Sequence, residues 1–256
     1  MSITFCVLAS GSRGNATYVR SGQTAVLIDC GLSARELLRR LDLAGLEAGR
    51  LKAIVITHEH RDHISGARVL AGRLRLPVLA TKKTWAACGD MRATRHQAFT
   101  AGQAFSIDDL GLQAFSIPHD AVDPVGLVIS AGAARLGVCT DLGQAPALVS
   151  QRLGGCQALV LESNHDPEML AEGPYPPWLK QRVRSRHGHL SNQQGAELLA
   201  QVHHGELSQV VLAHLSEVNN RPDLAALAAG QALERLGSRS VLCLARQDAP
   251  TPVMEI

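Results

Sequence analysis

Short apolar runs separated by polar turns recur along all 256 residues of the chain. Ten of them read as strands: Ile3–Leu8, Thr24–Asp29, Lys52–Thr57, Val78–Ala80, Leu112–Ile117, Leu127–Ser130, Arg135–Thr140, Ala158–Glu162, Gln209–Ala213 and Val241–Ala245. Many are continuous rather than alternating, as strands become when both faces of a sheet are covered. Between them lie amphipathic stretches. Ser33 and Glu36 have the spacing of a capping box ahead of Leu37, Leu38 and Leu41, and Ser191 with Gln194 repeats it ahead of Ala196, Leu198, Leu199 and Val202. Pro222 sits at the first position of an Ala- and Leu-rich helix reaching about Leu236, with Gly237 as its stop. A further helix is expected from Ile64 to about Leu74. With no linker or low-complexity segment, the pattern predicts one α/β domain over residues 1–256, its sheets flanked by helices. It does not separate one doubly wound sheet from two packed sheets.

Composition narrows the function classes. Apolar residues make up 46% and charged residues 19%, which are globular values. A net charge of +2 gives no general attraction to polyanions, so any nucleic-acid contact must come from a local patch. Aromatics, at 3%, supply little for stacking along a single strand. No apolar run is long enough to span a bilayer. The N-terminus reads as a first strand rather than a signal peptide. Six scattered cysteines with no CxxC pair fit reduced thiols in a cytoplasmic protein.

The chemistry is concentrated after the run Ala53–Ile56. There Thr57-His58-Glu59-His60-Arg61-Asp62-His63 places three imidazoles and two carboxylates in seven residues. Imidazole nitrogen and carboxylate oxygen suit zinc, iron and manganese. His58, His60, Asp62 and His63 are too many for one closed tetrahedral site and read as halves of two adjacent ones; the alternatives are a solvated turn or one structural zinc. Three later strands also end in such donors, at His119, Asp141 and His214. The segment Lys180–His189 carries four cationic side chains and two imidazoles and runs into the capped helix near Ser191. That is the chemistry of an anion site at a helix N-terminus, or of a solvated basic loop.

The HxHxDH run after a buried strand resembles the metallo-β-lactamase superfamily, which implies an αββα sandwich of two mixed sheets flanked by helices. The resemblance implies two divalent metal ions, zinc or manganese with iron as a further option. His58, His60 and His119 would hold the first, Asp62, His63 and His214 the second, and Asp141 would bridge them. Asp29 would orient a ligand histidine, or simply close a turn before Gly31. The Leu8–Asn15 loop, Asp29-Cys30-Gly31, Glu162–Asp166, Gly188–Asn192 and His214–Asn220 resemble the YycJ/WalJ-like branch, related to tRNase Z and the phosphonate-pathway phosphodiesterase. That likeness implies phosphodiester hydrolysis by a metal-bound hydroxide, with 5′-to-3′ exonuclease action on DNA, and makes Asp62 and His189 the catalytic residues. His189 would protonate the leaving oxygen, with His187 as the competing candidate. Candidate substrate contacts are Ser12, Asn15, Asn164, His165, Arg182, Arg184, Arg186, His187 and Ser191. A thioester, lactone or small cyclic phosphodiester hydrolase, or a non-catalytic regulatory or DNA-docking protein on the same fold, are the alternatives. The sequence is silent on oligomeric state.

Overall fold

A computed structural model describes residues 1–89, 91 and 94–256. The strands build two seven-stranded sheets. The first comprises β1 (Thr4–Ala9), β2 (Ala16–Ser21), β3 (Thr24–Ile28), β4 (Leu51–Val55), β5 (Val78–Thr81), β6 (His96–Phe99) and the short β14 (Met254–Glu255). Its order is β14-β1-β2-β3-β4-β5-β6. The second holds β7 (Ala104–Ile107), β8 (Leu110–Ser116), β9 (Val125–Ala131), β10 (Ala134–Cys139), β11 (Ala158–Glu162), β12 (Gln209–Ala213) and β13 (Val241–Leu244). Its order is β13-β12-β11-β10-β9-β8-β7. Both are mixed: β3 through β6 and β10 through β13 pair in parallel, and the remaining pairs are antiparallel.

Strand periodicity explains the layering. In β1, Phe5 and Val7 face the core between the sheets, while Cys6 and Leu8 face α1 (Ala34–Leu43) and α3 (Ala67–Leu74). β4 divides the same way, with Ala53 and Val55 inward and Ile54 outward. On the second sheet, Leu159, Leu161, Val210 and Leu212 pack outward among residues of α5 (Ala147–Leu153), α8 (Asn192–Val202) and α9 (Pro222–Arg235). Both faces of the central strands are therefore covered, which is why those strands read as unbroken apolar runs. The result is helix–sheet–sheet–helix, the two-sheet outcome the pattern alone left open.

Several local expectations are corrected. The helix expected over 64–74 is broken into α2 (Arg61–Ile64) and α3 at Ser65-Gly66, where the backbone of Gly66 approaches the Leu32 carbonyl too closely for a side chain. The capping box at Ser191 is complete, but at Ser33 only half forms: Ser33 Oγ accepts from the Glu36 backbone, while the Glu36 carboxylate turns to Arg39 and Arg40. Buried Arg40 also donates to the carbonyls of Leu8 and Gln247, so this pair ties α1 to β1 and to the C-terminal segment. Hydrogen bonds from Arg39 and Arg40 hold the Glu36 carboxyl down at about 2, against an ordinary 4.5. A folded value below the unfolded one stabilises above about pH 4.5, and that stabilisation is lost as pH falls towards 2. Glu36 is partly solvated, so the contribution is below about 1 kcal/mol. Glu36→Gln is expected to lower stability by that much at pH 7 and by little at pH 2, read from urea unfolding at both.

Candidate metal centre

Parallel and antiparallel pairing together bring the ends of β3, β4, β8, β10, β11 and β12 to one rim of the sandwich. Asp29, His58, His119, Asp141 and His214 each lie just past such an end, and Glu162 is the last residue of β11. Three of them, Asp29 (φ 60°), Asp141 (φ 62°) and His214 (φ 57°), occupy the left-handed region without being glycine. Non-glycine residues held there mark functional sites when the surrounding structure fixes them. Gly31 contributes by what it lacks. A Cβ there would overlap the Asp62 carbonyl, so only glycine lets the β3 turn seat the His58–His63 loop.

The donors converge in two groups. His58 Nε2 lies 3.1 Å from His60 Nδ1, which is 3.3 Å from His119 Nε2. In the second group His63 Nε2 and His214 Nε2 lie 3.4 and 3.5 Å from Asp62 Oδ2. Asp141 stands between them, with Oδ2 3.4 Å from His63 Nε2, and Oδ1 3.2 Å from His214 Nε2 and 3.9 Å from His119 Nε2.

The other nitrogen of each buried ring is already tied to oxygen. Asp29 Oδ2 accepts from His63 Nδ1 (2.8 Å), and the Gly188 carbonyl accepts from His119 Nδ1 (3.1 Å). Thr57 Oγ1 gives its proton to Asp29 (2.9 Å) and so accepts from His58 Nδ1 (3.0 Å). His214 Nδ1 lies 3.4 Å from Glu162 Oε1 and 3.2 Å from the Asn164 amide nitrogen. In the neutral rings of His58, His63 and His119 the outer contacts place the proton on Nδ1 and leave Nε2 as the lone pair a metal ligand needs. Among the described residues, buried Asp141 Oδ2 and His214 Nε2 make no hydrogen bond. Converging lone pairs and unbonded buried atoms are unfavourable alone and are satisfied by cations, so the residues present fit metal ions.

Electrostatics agrees. Burial, with neighbouring imidazoles adding to it, drives His58 well down, so it stays neutral. Burial also lowers His119, outweighing Asp141. Burial would lower His63 and His214 too, but the Asp141 carboxylate, with Asp29 for His63 and with Asp62 and Glu162 for His214, outweighs it. His63 rises well above its ordinary value and His214 to about 10. Despite burial, the adjacent histidines hold Asp62 and Asp141 well below the ordinary carboxylate range. The cluster is a sink for positive charge.

Beside the cluster is a cavity of about 180 Å³ whose lining includes His119, His189, His214, Ser12, Asn164, Arg182 and His187. His189 donates from Nδ1 to Glu162 Oε1 at 2.7 Å, and Glu162 Oε2 accepts from the backbone of Leu142 and Leu190. Burial would raise Glu162, but His189 and His214 hold it down at about 2, so it stays ionised and fixes both rings. Glu162 is the main residue the sequence reading left without a role. Its signal was a lone carboxylate closing a five-residue buried strand, a group that cannot be buried unpaired. Asp141, Glu162, His189 and His214 also lie close enough to one another to form a donor group.

Other expected substrate contacts are placed elsewhere. Asn15 is buried and holds Asp62, its Nδ2 donating to Asp62 Oδ2 (3.1 Å) and its backbone N–H to the Asp62 carbonyl (2.7 Å). Ser191 Oγ is occupied as the cap of α8. His165 is buried beneath the rim, its backbone bridged to Ser191. Arg184 borders a separate shallow hollow, and Arg186 is exposed away from the cavity. The basic segment expected as a loop is half helix: α7 (Pro177–Arg184) carries Lys180, Arg182 and Arg184, starting with proline at its first turn.

Residues 24–215 match the beta-lactamase superfamily domain. The chain belongs to that superfamily. It is 37% identical over 241 residues to the exodeoxyribonuclease YycJ of Bacillus anthracis, covering 93% of this chain and 91% of the relative. It is 35% identical over 231 residues to the exodeoxyribonuclease WalJ of Streptococcus pneumoniae, covering 86% and 84%. The metallo-beta-lactamase fold protein YhfI of Bacillus subtilis superposes with a TM-score of 0.74 over 100% of both chains at 16% identity, which shows the fold. The αββα sandwich is therefore this superfamily's, and fold and donor set together imply divalent metal ions. Among the described residues no helix is long and apolar enough to cross a membrane.

Proposed function

We propose that the chain is a dinuclear-metal-dependent phosphodiesterase that acts on DNA as a 5′-to-3′ exonuclease in the cytoplasm, folded as one domain over residues 1–256. The observation that carries this reading is the pair of triads around Asp141 with a carboxylate-held histidine, His189, on the adjoining cavity. His58, His60 and His119 would hold one metal and Asp62, His63 and His214 the other, with Asp141 available to both. Zinc and manganese suit these nitrogen and oxygen donors best, and iron is compatible. When bound, the metals supply Lewis acidity for phosphate oxygens and a nucleophile from water near neutral pH.

The chain's own groups do the rest. His189, its Nδ1 fixed on Glu162, presents Nε2 to the cavity as the proton donor for the leaving oxygen. Arg182 lines the cavity, and its exposed pair with Asp120 is weak enough to yield to phosphate. Asn15, Asp29, Thr57 and Glu162 hold the ligands in register. The curated relatives' exodeoxyribonuclease activity supports DNA as the strand, and six free cysteines fit a reducing compartment.

Chelated protein, reconstituted with Mn²⁺ or Zn²⁺, is expected to hydrolyse bis(4-nitrophenyl) phosphate and to leave a thioester untouched. Metal-dependent thioester hydrolysis without phosphodiester cleavage would replace this reading with the acyl-hydrolase alternative.

A further inference from the structure

We propose that Tyr175 and Asn219 form a nucleobase subsite beside the scissile phosphate, on the α7 side of the cavity. This rests on the phosphodiesterase reading above and adds what selects the nucleoside. Two kinds of side chain line the cavity: imidazoles of the metal centre, and Tyr175 with, from α7, Leu179 and Val183, Arg182 among them. Leu179 and Val183 are four residues apart and so share a helix face. A bare phosphodiester needs no apolar wall, whereas a purine or pyrimidine does.

Tyr175 is prepared for stacking. It lies between α6 (Pro167–Glu172) and α7, flanked by Pro174 and Pro176, which restrict its backbone on both sides. The ring is half-buried, and its hydroxyl makes no hydrogen bond among the described residues. An aromatic face held this way loses little freedom when a base stacks on it.

Asn219 supplies the polar edge. It is 1% exposed and lines the cavity, yet its side-chain Oδ1 makes no hydrogen bond among the described residues. The neighbouring amides differ: Asn164 bonds His214, and Asn192 and Asn220 bond each other and Ser163. The Asn219 backbone is anchored, its N–H donating to Ser216 Oγ (3.0 Å) and its carbonyl accepting from Asp166 N–H (2.9 Å). Its amide abuts Gly173, two residues before Tyr175, where a Cβ would collide with Oδ1. A fixed, buried amide without an internal partner needs an outside one. The amide carries a donor and an acceptor, the pair that reads a base edge, with Oδ1 packed against Gly173 and open to a base only once the side chain turns.

The test is calorimetric binding of 2′-deoxyadenosine 5′-monophosphate and of 2-deoxyribose 5-phosphate to the full, metal-loaded chain. The wild type is expected to bind the nucleotide about tenfold or more tightly than the sugar phosphate, the scale of one base–aromatic stack. Tyr175→Ala should remove that margin and Tyr175→Phe, the folding control, should keep it. Asn219→Ala should narrow it with the sugar-phosphate affinity unchanged. Equal affinities in the wild type, or equal losses for both ligands in Tyr175→Ala and Asn219→Ala, would overturn the subsite. A protein with the margin that cleaves no phosphodiester would keep the subsite and refute the phosphodiesterase reading.

Discussion

Asp141→Ala is expected to lose bound metal and at least about 10³-fold in phosphodiester hydrolysis, the scale of removing an electrostatic clamp on the transition state. Among the described residues, Asp141 is the carboxylate that faces both triads, 3.4 Å from His63 and 3.2 Å from His214, with 3.9 Å to His119. Without it the two groups share no anion, and the charge that draws cations into the rim falls. Asp141→Asn separates charge from shape, since the amide fills the same space at the same left-handed backbone position. Both variants should show the loss in metal content measured by elemental mass spectrometry after dialysis, with the asparagine protein still folded by circular dichroism. Full metal occupancy in either would remove Asp141 from the centre.

His189→Ala is expected to keep its metals and lose about 10²–10⁴-fold in kcat on DNA, the range for a lost general acid. The nitrophenolate of bis(4-nitrophenyl) phosphate leaves without a proton, so the same variant should lose far less on that substrate. A general acid predicts this split between substrates, and a structural role does not. Glu162→Gln should show a weaker version, because it frees the His189 ring without removing it. Should His189→Ala instead strip metal, His189 would belong with Asp141, Glu162 and His214 as a ligand group.

The candidate donors were legible as strand ends. A strand delivers its next residue to a fixed rim, so apolar runs placed His58, His119, Asp141 and His214 there, and the family resemblance supplied the ligand roles. Buried strands and capped helices were legible for the same reason: local pattern and packing agree. Polar edges were not. At the edges, β6 and β7 are half-exposed and β14 is two residues long, while interior β2 sets Thr17, Arg20 and Ser21 among its apolar residues, so none shows a strong apolar run. Substrate contacts were the least legible. Ser191 and Asn15 are polar residues near the rim whose side chains are spent internally, and sequence cannot tell an amide turned inward from one turned to the cavity. Asn219 shows the converse, an amide in a local turn that the fold leaves without a partner. Glu162 was visible as a buried carboxylate, but its partners, His189 and His214, lie 27 and 52 residues away in sequence.

Metal-dependent cleavage of DNA is the activity proposed for this centre. It is tested most directly by digesting 5′-phosphorylated single-stranded and duplex DNA, end-labelled at either terminus, with Mn²⁺ or Zn²⁺ and with Asp62→Ala in parallel. Release of mononucleotides stepwise from the 5′ end by the wild type, none by Asp62→Ala and none with chelator is the expected result. Intact DNA in every wild-type reaction, with two metals bound per chain, would contradict it.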